Sequence, residues 1–205
     1  MVELEAVNML LEAIGSDVIN SLNNTHPDAQ AANRVLLRKA KMELRKGWWF
    51  NTDWGVNYEP DTNNEIVIHS NISSVRMENV DYVRRNGKLY DKVNQTYKFD
   101  GTQTAYQQIR LPTWDEMEAD MQVYVAYLAC SEFILNETQD KPLSDSYGAK
   151  AGLELMELKR TDLKQKNINM FNGNKYRSVR GGVRPAVYRN TQAGTLVSDT
   201  LQVNK

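Results

Sequence analysis

The sequence predicts an α+β fold: a four-helix bundle with a β-rich lobe inserted between helices 2 and 3, followed by an extended basic C-terminal arm. Three observations predict it. Apolar residues recur at helical spacing in four segments, and short β-type segments separated by turn residues lie between the second and the third. Basic residues concentrate near the C-terminal end. We expect the bundle over 1–47 and 112–165, the lobe over 48–111 and the arm over 166–205.

The first two helices are predicted from apolar spacing and from cap residues. Helix 1 ends near Gly15, where a C-terminal cap is expected. Helix 2 begins with Asp28 as its N-cap and ends at Gly47. The apolar stripe of helix 1 comprises Leu4, Val7, Leu11 and Ile14, and the inward face of helix 2 comprises Ala32, Val35, Leu36, Lys39 and Met42.

The stretch between helices 2 and 3 is predicted to form short strands. Asn86-Gly87 is the strongest hairpin signal in the chain, because both positions of such a turn need positive φ. The β-type pattern runs from Trp48 to Leu111, and examples of its segments are Glu65–His69, Val80–Arg84, Lys88–Asp91 and Thr104–Leu111.

Helices 3 and 4 complete the predicted bundle. Helix 3 begins at a capping box formed by Thr113 and Glu116. Its residues are apolar nearly all round, which places it at the centre of the bundle. Helix 4 is expected to begin at Ser144 or Asp145, after a loop that contains Pro142.

Composition excludes several classes of protein. With 205 residues, 41% of them hydrophobic and 25% charged, the chain has the balance of a globular protein rather than a collagen-like or disordered one. The longest apolar run, Val123–Cys130, is far shorter than the roughly 20 residues of a membrane helix. The acidic N-terminal segment lacks the basic start of a signal peptide. We therefore expect a soluble, reduced protein made in the cytoplasm, with no membrane partner.

Charge is distributed unevenly along the chain. From Lys164 to the end there are eight basic residues and one acid, a net charge of +7. Because the whole chain carries −1, residues 1–163 carry −8. A basic tail on an acidic body is typical of a segment that contacts a partner, although a solvated terminus is the alternative. Its recurring apolar residues favour ordering on the surface of another chain.

One dense carboxylate cluster is present. A pair of carboxylates held roughly 5–9.5 Å apart in a cleft can hydrolyse glycosidic bonds. These acids instead lie at the predicted start of helix 3, where capping and the helix dipole favour them. We interpret them as structural; they are Asp115, Glu116, Glu118 and Asp120.

The remaining chemistry-bearing residues predict no catalytic, cofactor or metal site. His26 and His69 have no acid, histidine or cysteine at ligand spacing. Cys130, the one cysteine, lies on the apolar face of helix 3 and is interpreted as a buried small hydrophobe. No glycine-rich phosphate loop followed by Lys-Ser/Thr occurs.

An aromatic cluster follows helix 2. Aromatic residues interleaved with bases can stack on single-stranded nucleic acid. Here the bases Arg45 and Lys46 are opposed by Asp53 and Glu59, so packing or subunit contact is the preferred interpretation. The cluster comprises Trp48, Trp49, Phe50 and Trp54.

Several short motifs occur in a recognisable order. They are Leu10–Gly15 with Val18–Leu22, Ala31–Arg34, Arg45–Trp48 with Phe50-Asn51, Asn86–Asp91 with Phe99-Asp100, and Ile109–Leu111 with Asp115–Met117. In this succession the chain resembles the tail tubular protein A family of short-tailed podovirus bacteriophages. The resemblance covers about residues 4–165, and each motif carries no chemistry by itself.

The resemblance implies a structural protein of the virion tail, without catalysis or cofactor. Members of that family form a twelve-subunit adaptor ring that joins the portal protein to the nozzle protein, tail tubular protein B. The ring also offers a platform for tail fibres, and genomic DNA passes through its lumen without sequence-specific binding. The helical part would face the portal and the β lobe the nozzle. An acidic body suits such a conduit, because phosphate contacts make DNA adhere.

Under this interpretation the C-terminal arm docks on the portal or on a neighbouring subunit, and direct DNA contact is its rival role. Other functions left open are a different non-enzymatic interaction module, a tail-associated glycan hydrolase and a DNA-binding accessory protein. The arm residues expected to contact the partner are Tyr176, Arg177, Arg180, Val183, Arg184, Tyr188 and Arg189.

Overall fold

A computed structural model describes residues 1–23 and 26–166, and residues 1–166 form one compact unit. The predicted α+β class is confirmed, since four helices are present with small antiparallel sheets between the second and the third. The predicted arm lies outside the described residues, apart from Lys166. The elements are α1 (Glu3–Ala13), α2 (Pro27–Leu44), β1 (Thr52–Tyr58), β2 (Ile72–Met77), β3 (Tyr82–Arg85), β4 (Lys88–Asp91), β5 (Gln103–Arg110), a 3₁₀ turn (Trp114–Glu116), α3 (Ala119–Glu137) and α4 (Lys141–Gln165).

Helix α3 lies at the centre of the helical part, as predicted. It packs against α1, α2 and α4, whereas α2 packs against α1 and α3. A helix that is apolar on nearly all sides needs neighbours on all sides, and α3 has them. Its buried residues are Met121, Gln122, Tyr124, Val125, Ala126, Ala129, Cys130, Phe133 and Ile134.

The end of α1 follows the predicted glycine cap. Gly15 has a φ of +75°, its N–H donates to the carbonyl of Glu12, and the N–H of Ser16 donates to the carbonyl of Leu11. This pair of hydrogen bonds is the Schellman arrangement, which satisfies carbonyl groups that the last helical turn leaves free.

The prediction for the start and inward face of α2 is wrong in two respects. The N-cap is His26 and not Asp28, because Pro27 suits the first helical position, where no backbone N–H is needed. Asp28 lies in the first turn and accepts a hydrogen bond from Ser16 Oγ at 3.1 Å. Met42 lies on the outer side and is 53% exposed, while Ala40 and Leu44 are buried in its place.

The starts of α3 and α4 also differ from the prediction. The Thr113–Glu116 capping box is present, with the Thr113 N–H donating to Glu116 Oε2 at 2.9 Å, but it opens a 3₁₀ turn and α3 begins only at Ala119. Helix α4 begins at Lys141, because Asp140 Oδ1 accepts the N–H of Leu143 at 3.0 Å. Pro142 is tolerated in that first turn for the same reason as Pro27.

The lobe contains two small sheets. Strands β1, β5 and β2 form an antiparallel sheet in that order, and β3 pairs with β4 in the predicted hairpin. Asn86 and Gly87 have φ values of 50° and 73°, as the turn requires. The lobe has its own hydrophobic cluster, which comprises Ile66, Ile68, Ile72, Met77, Leu89, Phe99 and Ala105.

The strand predictions are partly wrong. Glu65–His69 forms isolated β-bridges rather than a strand. Its two isoleucines are buried, but their burial does not come from membership of a sheet. Strands β1 and β2 carry no clean alternation in the sequence and were not predicted. In β1 the positive φ of Gly55 interrupts the pleat, and β2 shifts register twice against β5.

Candidate interaction surfaces

A buried asparagine joins the helical part to the lobe. Asn51, in the turn between α2 and β1, is 1% exposed. Its Nδ2 donates to the carbonyl of Leu44 at 2.9 Å and to the carbonyl of Arg110 at 2.8 Å, while its Oδ1 accepts the N–H of Trp48 at 2.8 Å. The side chain thereby connects the end of α2 to the end of β5, and a buried amide of this kind holds its position because leaving any partner unpaired is costly.

Three of the four predicted aromatic residues lie at this junction. Trp48 is buried in the helical core, and its indole N–H donates to the carbonyl of Glu43 at 3.0 Å. Trp49 and Phe50 pack against the same core and meet edge to face with ring centroids 5.2 Å apart. The N–H of Trp49 donates to Asp162 Oδ1 at 3.0 Å, which ties the junction to α4. These rings therefore have intramolecular contacts.

The fourth aromatic residue is separated from the other three. Trp54 lies on β1 in the lobe, is 46% exposed, and meets Tyr106 edge to face at 5.2 Å. The structure thus brings Trp48, Trp49 and Phe50 together and leaves Trp54 on the surface, where its ring is accessible to another molecule.

The α2 outer face combines basic and apolar side chains. Successive bases recur at helical spacing, and Leu37 and Met42 beside them are 43% and 53% exposed. Two clefts border Leu37, and each has a volume of about 290 Å³. One is also lined by Trp114 and Met117, and the other by Ile19 and Leu22. We define the α2 outer face as Arg34, Leu37, Arg38, Lys41, Met42 and Arg45.

Helix α4 also exposes an apolar stripe. Leu153, Met156 and Leu163 are more than half exposed and follow helical spacing. The opposite side of the helix, with Ala151 and Leu158, is buried against the core. An exposed apolar stripe on a second side of a packed helix is typical of a contact with another chain.

The predicted carboxylate cluster lies at one corner of the helical part together with the start of α1. The N-terminal ammonium of Met1 donates to Gln122 Oε1 at 3.0 Å, and Trp114 Nε1 donates to the carbonyl of Met1 at 3.0 Å. These bonds bring the first turn of α1 beside the 3₁₀ turn and the first turn of α3. We define the acidic corner as Glu3, Glu5, Asp115, Glu116, Glu118 and Asp120.

The electrostatics of the acidic corner do not suit general acid catalysis. A catalytic acid needs a raised pKa, obtained by burial. Instead, hydrogen bonds from Thr113 lower the pKa of Glu116, and the acids at positions 115, 116, 118 and 120 are exposed. The arrangement supplies negative surface charge rather than a hydrolytic pair.

The other residues considered for chemistry have structural positions. Cys130 is buried in the helical core, and burial raises the pKa of its thiol to about 12. His26 is the N-cap of α2, and the carbonyl of His69 accepts a hydrogen bond from Arg84 at 3.2 Å. Among residues 1–23 and 26–166 no group of three histidine, cysteine or acidic side chains could hold a metal ion. Within the same residues, no helix combines the length and apolar character needed to cross a membrane.

Sequence reasoning missed Asn51 and the α2 outer face. Asn51 entered only as part of the Phe50-Asn51 motif, and its structural role gave no signal because its partners at positions 44 and 110 are fixed by tertiary contacts. The spacing of Arg34, Arg38, Lys41 and Arg45 was a readable signal, because residues at these intervals share one helical face. The predicted arm residues, from Tyr176 to Arg189, lie outside the described part of the chain.

Comparisons with known proteins confirm the resemblance seen in the motifs. A family model described as "Tube: Tail tubular protein" matches residues 4–178, which extends past α4 and beyond the expected limit near residue 165. The chain is also similar to the tail tubular protein A of Klebsiella phage KP34, with 35% identity over 104 residues. That alignment covers 49% of this chain and 54% of the relative, so the chain spans about half the length of the curated protein it matches.

Proposed function

The chain belongs to the tail tubular protein family, and on that premise we propose that it is the adaptor subunit that joins the portal to the tail nozzle. At the coarser level it is a structural protein of the phage tail and a component of the virion. The finer role is a twelve-subunit ring below the portal, with a central channel for the genome. We propose a structural role without enzymatic activity.

The observation that carries this proposal is the extent of the family match. Residues 4–178 include all four helices and the whole lobe, so the similarity reaches the complete described fold rather than one motif. The surfaces are consistent with assembly, because α2, α4 and the lobe each expose large apolar or aromatic side chains.

The charge of the body supports a conduit for DNA. Residues 1–163 carry a net charge of −8, and a ring would repeat that charge around its channel. Because DNA adheres to proteins through phosphate contacts with Lys and Arg, a predominantly acidic body weakens adhesion and favours sliding. We propose that the genome passes without sequence-specific binding.

The proposed partners follow from this position. The helical part would face the portal, and the lobe would face the nozzle protein and provide a platform for tail fibres. We assign docking of the portal or of a neighbouring subunit to the arm over 166–205. In it, Arg177, Arg180, Arg184 and Arg189 would meet acidic surface, while Tyr176, Val183 and Tyr188 would serve as apolar anchors.

Co-sedimentation with the portal protein encoded in the same genome tests the adaptor role. We expect saturable binding near one chain per portal subunit. Absence of binding by a folded full-length chain, with far-UV circular dichroism as the check on folding, would overturn the adaptor role and leave a tail structural protein with another position.

A second measurement tests the arm. Replacing the four arginines of the arm with alanine should abolish portal docking or subunit association, and replacing them with lysine should preserve much of it, since charge is retained. If the alanine variant docks normally but loses the salt-sensitive binding to duplex DNA that the unmodified chain shows, the arm contacts the genome instead.

A further inference from the structure

Most of the charged and exposed apolar side chains of the α2 outer face have no ion-pair partner or covering residue within residues 1–23 and 26–166. Within the described residues, Arg34, Lys41 and Arg45 form no ion pair, whereas Arg38 pairs with Glu132 of α3. Exposed Leu37 and Met42 lie beside these charges. A surface that binds only phosphates needs bases alone, and a mixture of arginine with apolar side chains is typical of a protein interface.

The acidic corner has the complementary character. Its six carboxylates also form no ion pair within residues 1–23 and 26–166, although Glu5 and Glu116 accept backbone N–H groups. Val2, the N-cap residue of α1 next to Glu3, is 55% exposed. The corner is therefore an acidic surface with one exposed apolar residue, whereas the α2 outer face is a basic surface with two.

We propose that the α2 outer face of one copy binds the acidic corner of a second copy. This inference rests on the proposed ring and names the surfaces that form it. The two surfaces are different, and a contact between unlike surfaces that repeats head to tail joins each copy to two neighbours. A contact of this kind generates a ring when the rotation between neighbours closes.

Charge complementarity gives the contact its direction. Opposite potentials steer the approach of two surfaces, and juxtaposition of two α2 outer faces or of two acidic corners is disfavoured by like charge. The same contact would cover the bases of α2. The lumen would then present the acidic remainder of the body to the genome, in keeping with a conduit that does not grip phosphates.

Charge-reversal variants of the full chain test this contact. The first variant carries Arg34→Glu, Lys41→Glu and Arg45→Glu, and it spares Arg38 because that side chain pairs with Glu132. The second carries Glu3→Lys, Asp115→Lys and Glu118→Lys, and it spares Glu5 and Glu116, which accept backbone amides. A control with the same change in charge as the first variant carries Arg76→Glu, Lys92→Glu and Lys98→Glu, three exposed bases of the lobe that lie away from both surfaces.

Self-association is measured by co-purification of two differently tagged copies and by sedimentation velocity, with and without the portal protein. We expect each reversed variant to associate with itself at least about ten-fold more weakly than the unmodified chain. An equimolar mixture of the two variants should recover association, because every contact in an alternating assembly then joins opposite charges. The lobe control should associate like the unmodified chain, and all variants should retain their far-UV circular dichroism.

Four outcomes would overturn the proposal. If the reversed variants associate as strongly as the unmodified chain, this contact is excluded but the proposed ring is not. If association is lost and the mixture does not recover it, this contact is excluded in the same way. Loss of duplex DNA binding in the first variant, with association unchanged, would assign the α2 outer face to nucleic acid. Absence of self-association by the unmodified chain, with or without portal protein, would overturn both the contact and the proposed ring.

Discussion

Asn51 and Arg110 bind each other reciprocally across the junction between the helical part and the lobe. The Arg110 N–H donates to the carbonyl of Asn51 at 2.8 Å, and the Asn51 Nδ2 donates to the carbonyl of Arg110 at 2.8 Å. The same side chain holds the last turn of α2 through the carbonyl of Leu44. Asn51 thus holds together the two segments that connect the lobe to the helical part, the one that follows α2 and the one that leads from β5 toward α3.

Replacement of this asparagine should destabilise the protein strongly. Asn51→Ala leaves buried donors and acceptors without partners, and we expect the free energy of unfolding to fall by about 2–4 kcal/mol. The measurement is urea denaturation followed by tryptophan fluorescence. Asn57→Ala, which removes one exposed hydrogen bond to Thr104 on β5, is the matched control and should change the free energy by less than about 0.5 kcal/mol. Equal effects in the two variants would contradict the assigned role of Asn51.

The turn that precedes the junction requires glycine at position 47. Gly47 has a φ of +78°, and an added Cβ would lie 3.0 Å from Ile109 Cδ1 and 3.1 Å from Thr52 Oγ1. Gly15 has a similar φ of +75° but open space around it. We expect Gly15→Ala to cost about 1 kcal/mol from backbone strain alone, and Gly47→Ala to cost about 1–3 kcal/mol more because of crowding. Thermal unfolding of the pair measures the difference, and a Gly47 variant no worse than the Gly15 variant would refute the crowding.

The single cysteine should be inert in the folded protein. Cys130 is buried, and because burial raises the pKa of its thiol to about 12, very little reactive thiolate forms near pH 8. A thiol reagent such as Ellman's reagent should therefore react only in denaturant. Ser146→Cys, at an exposed position on α4, supplies the positive control and should react at once. Rapid native labelling of the unmodified chain would show that the core around α3 opens.

Acid should destabilise the lobe through Asp91. Hydrogen bonds from the Asn94 and Val93 backbone and from the Asn94 side chain lower the pKa of Asp91 below its usual value. A carboxylate with a lowered pKa contributes stability above the unfolded-state pKa of about 3.9, and that contribution is lost as the pH falls through the folded-state value.

Unfolding measured between about pH 6 and pH 2.5 tests this dependence. The unmodified chain should lose stability toward acid, and Asp91→Asn should be less stable near pH 6 and show a shallower decline. Asp100→Asn, an exposed residue of the same lobe, should retain the full decline. An unchanged slope in the Asp91 variant would place the acid sensitivity elsewhere.

Local pattern predicted the elements that depend on neighbours in the chain. Apolar spacing was enough to identify α3 as the central helix, and Asn86-Gly87 identified the β3–β4 hairpin because its turn needs two positive φ values. Helix starts were less predictable. Pro27 and Pro142 were assigned outside their helices although both lie in first turns, where a missing N–H has no cost.

Three features could be read from the amino-acid sequence alone: the α+β class, the insertion of the lobe between α2 and α3, and the ordered motifs by which the family was recognised. Each depends on spacing or succession along the chain, which needs no three-dimensional contact. Three-dimensional contacts set which aromatic residues are buried, which face of α2 points outward, and how Asn51 connects the helical part to the lobe. They also brought Glu3 and Asp115 to one corner, through the contacts of Met1 with Trp114 and Gln122. These features join residues far apart in sequence, and their energies depend on burial and pairing, which the fold alone sets.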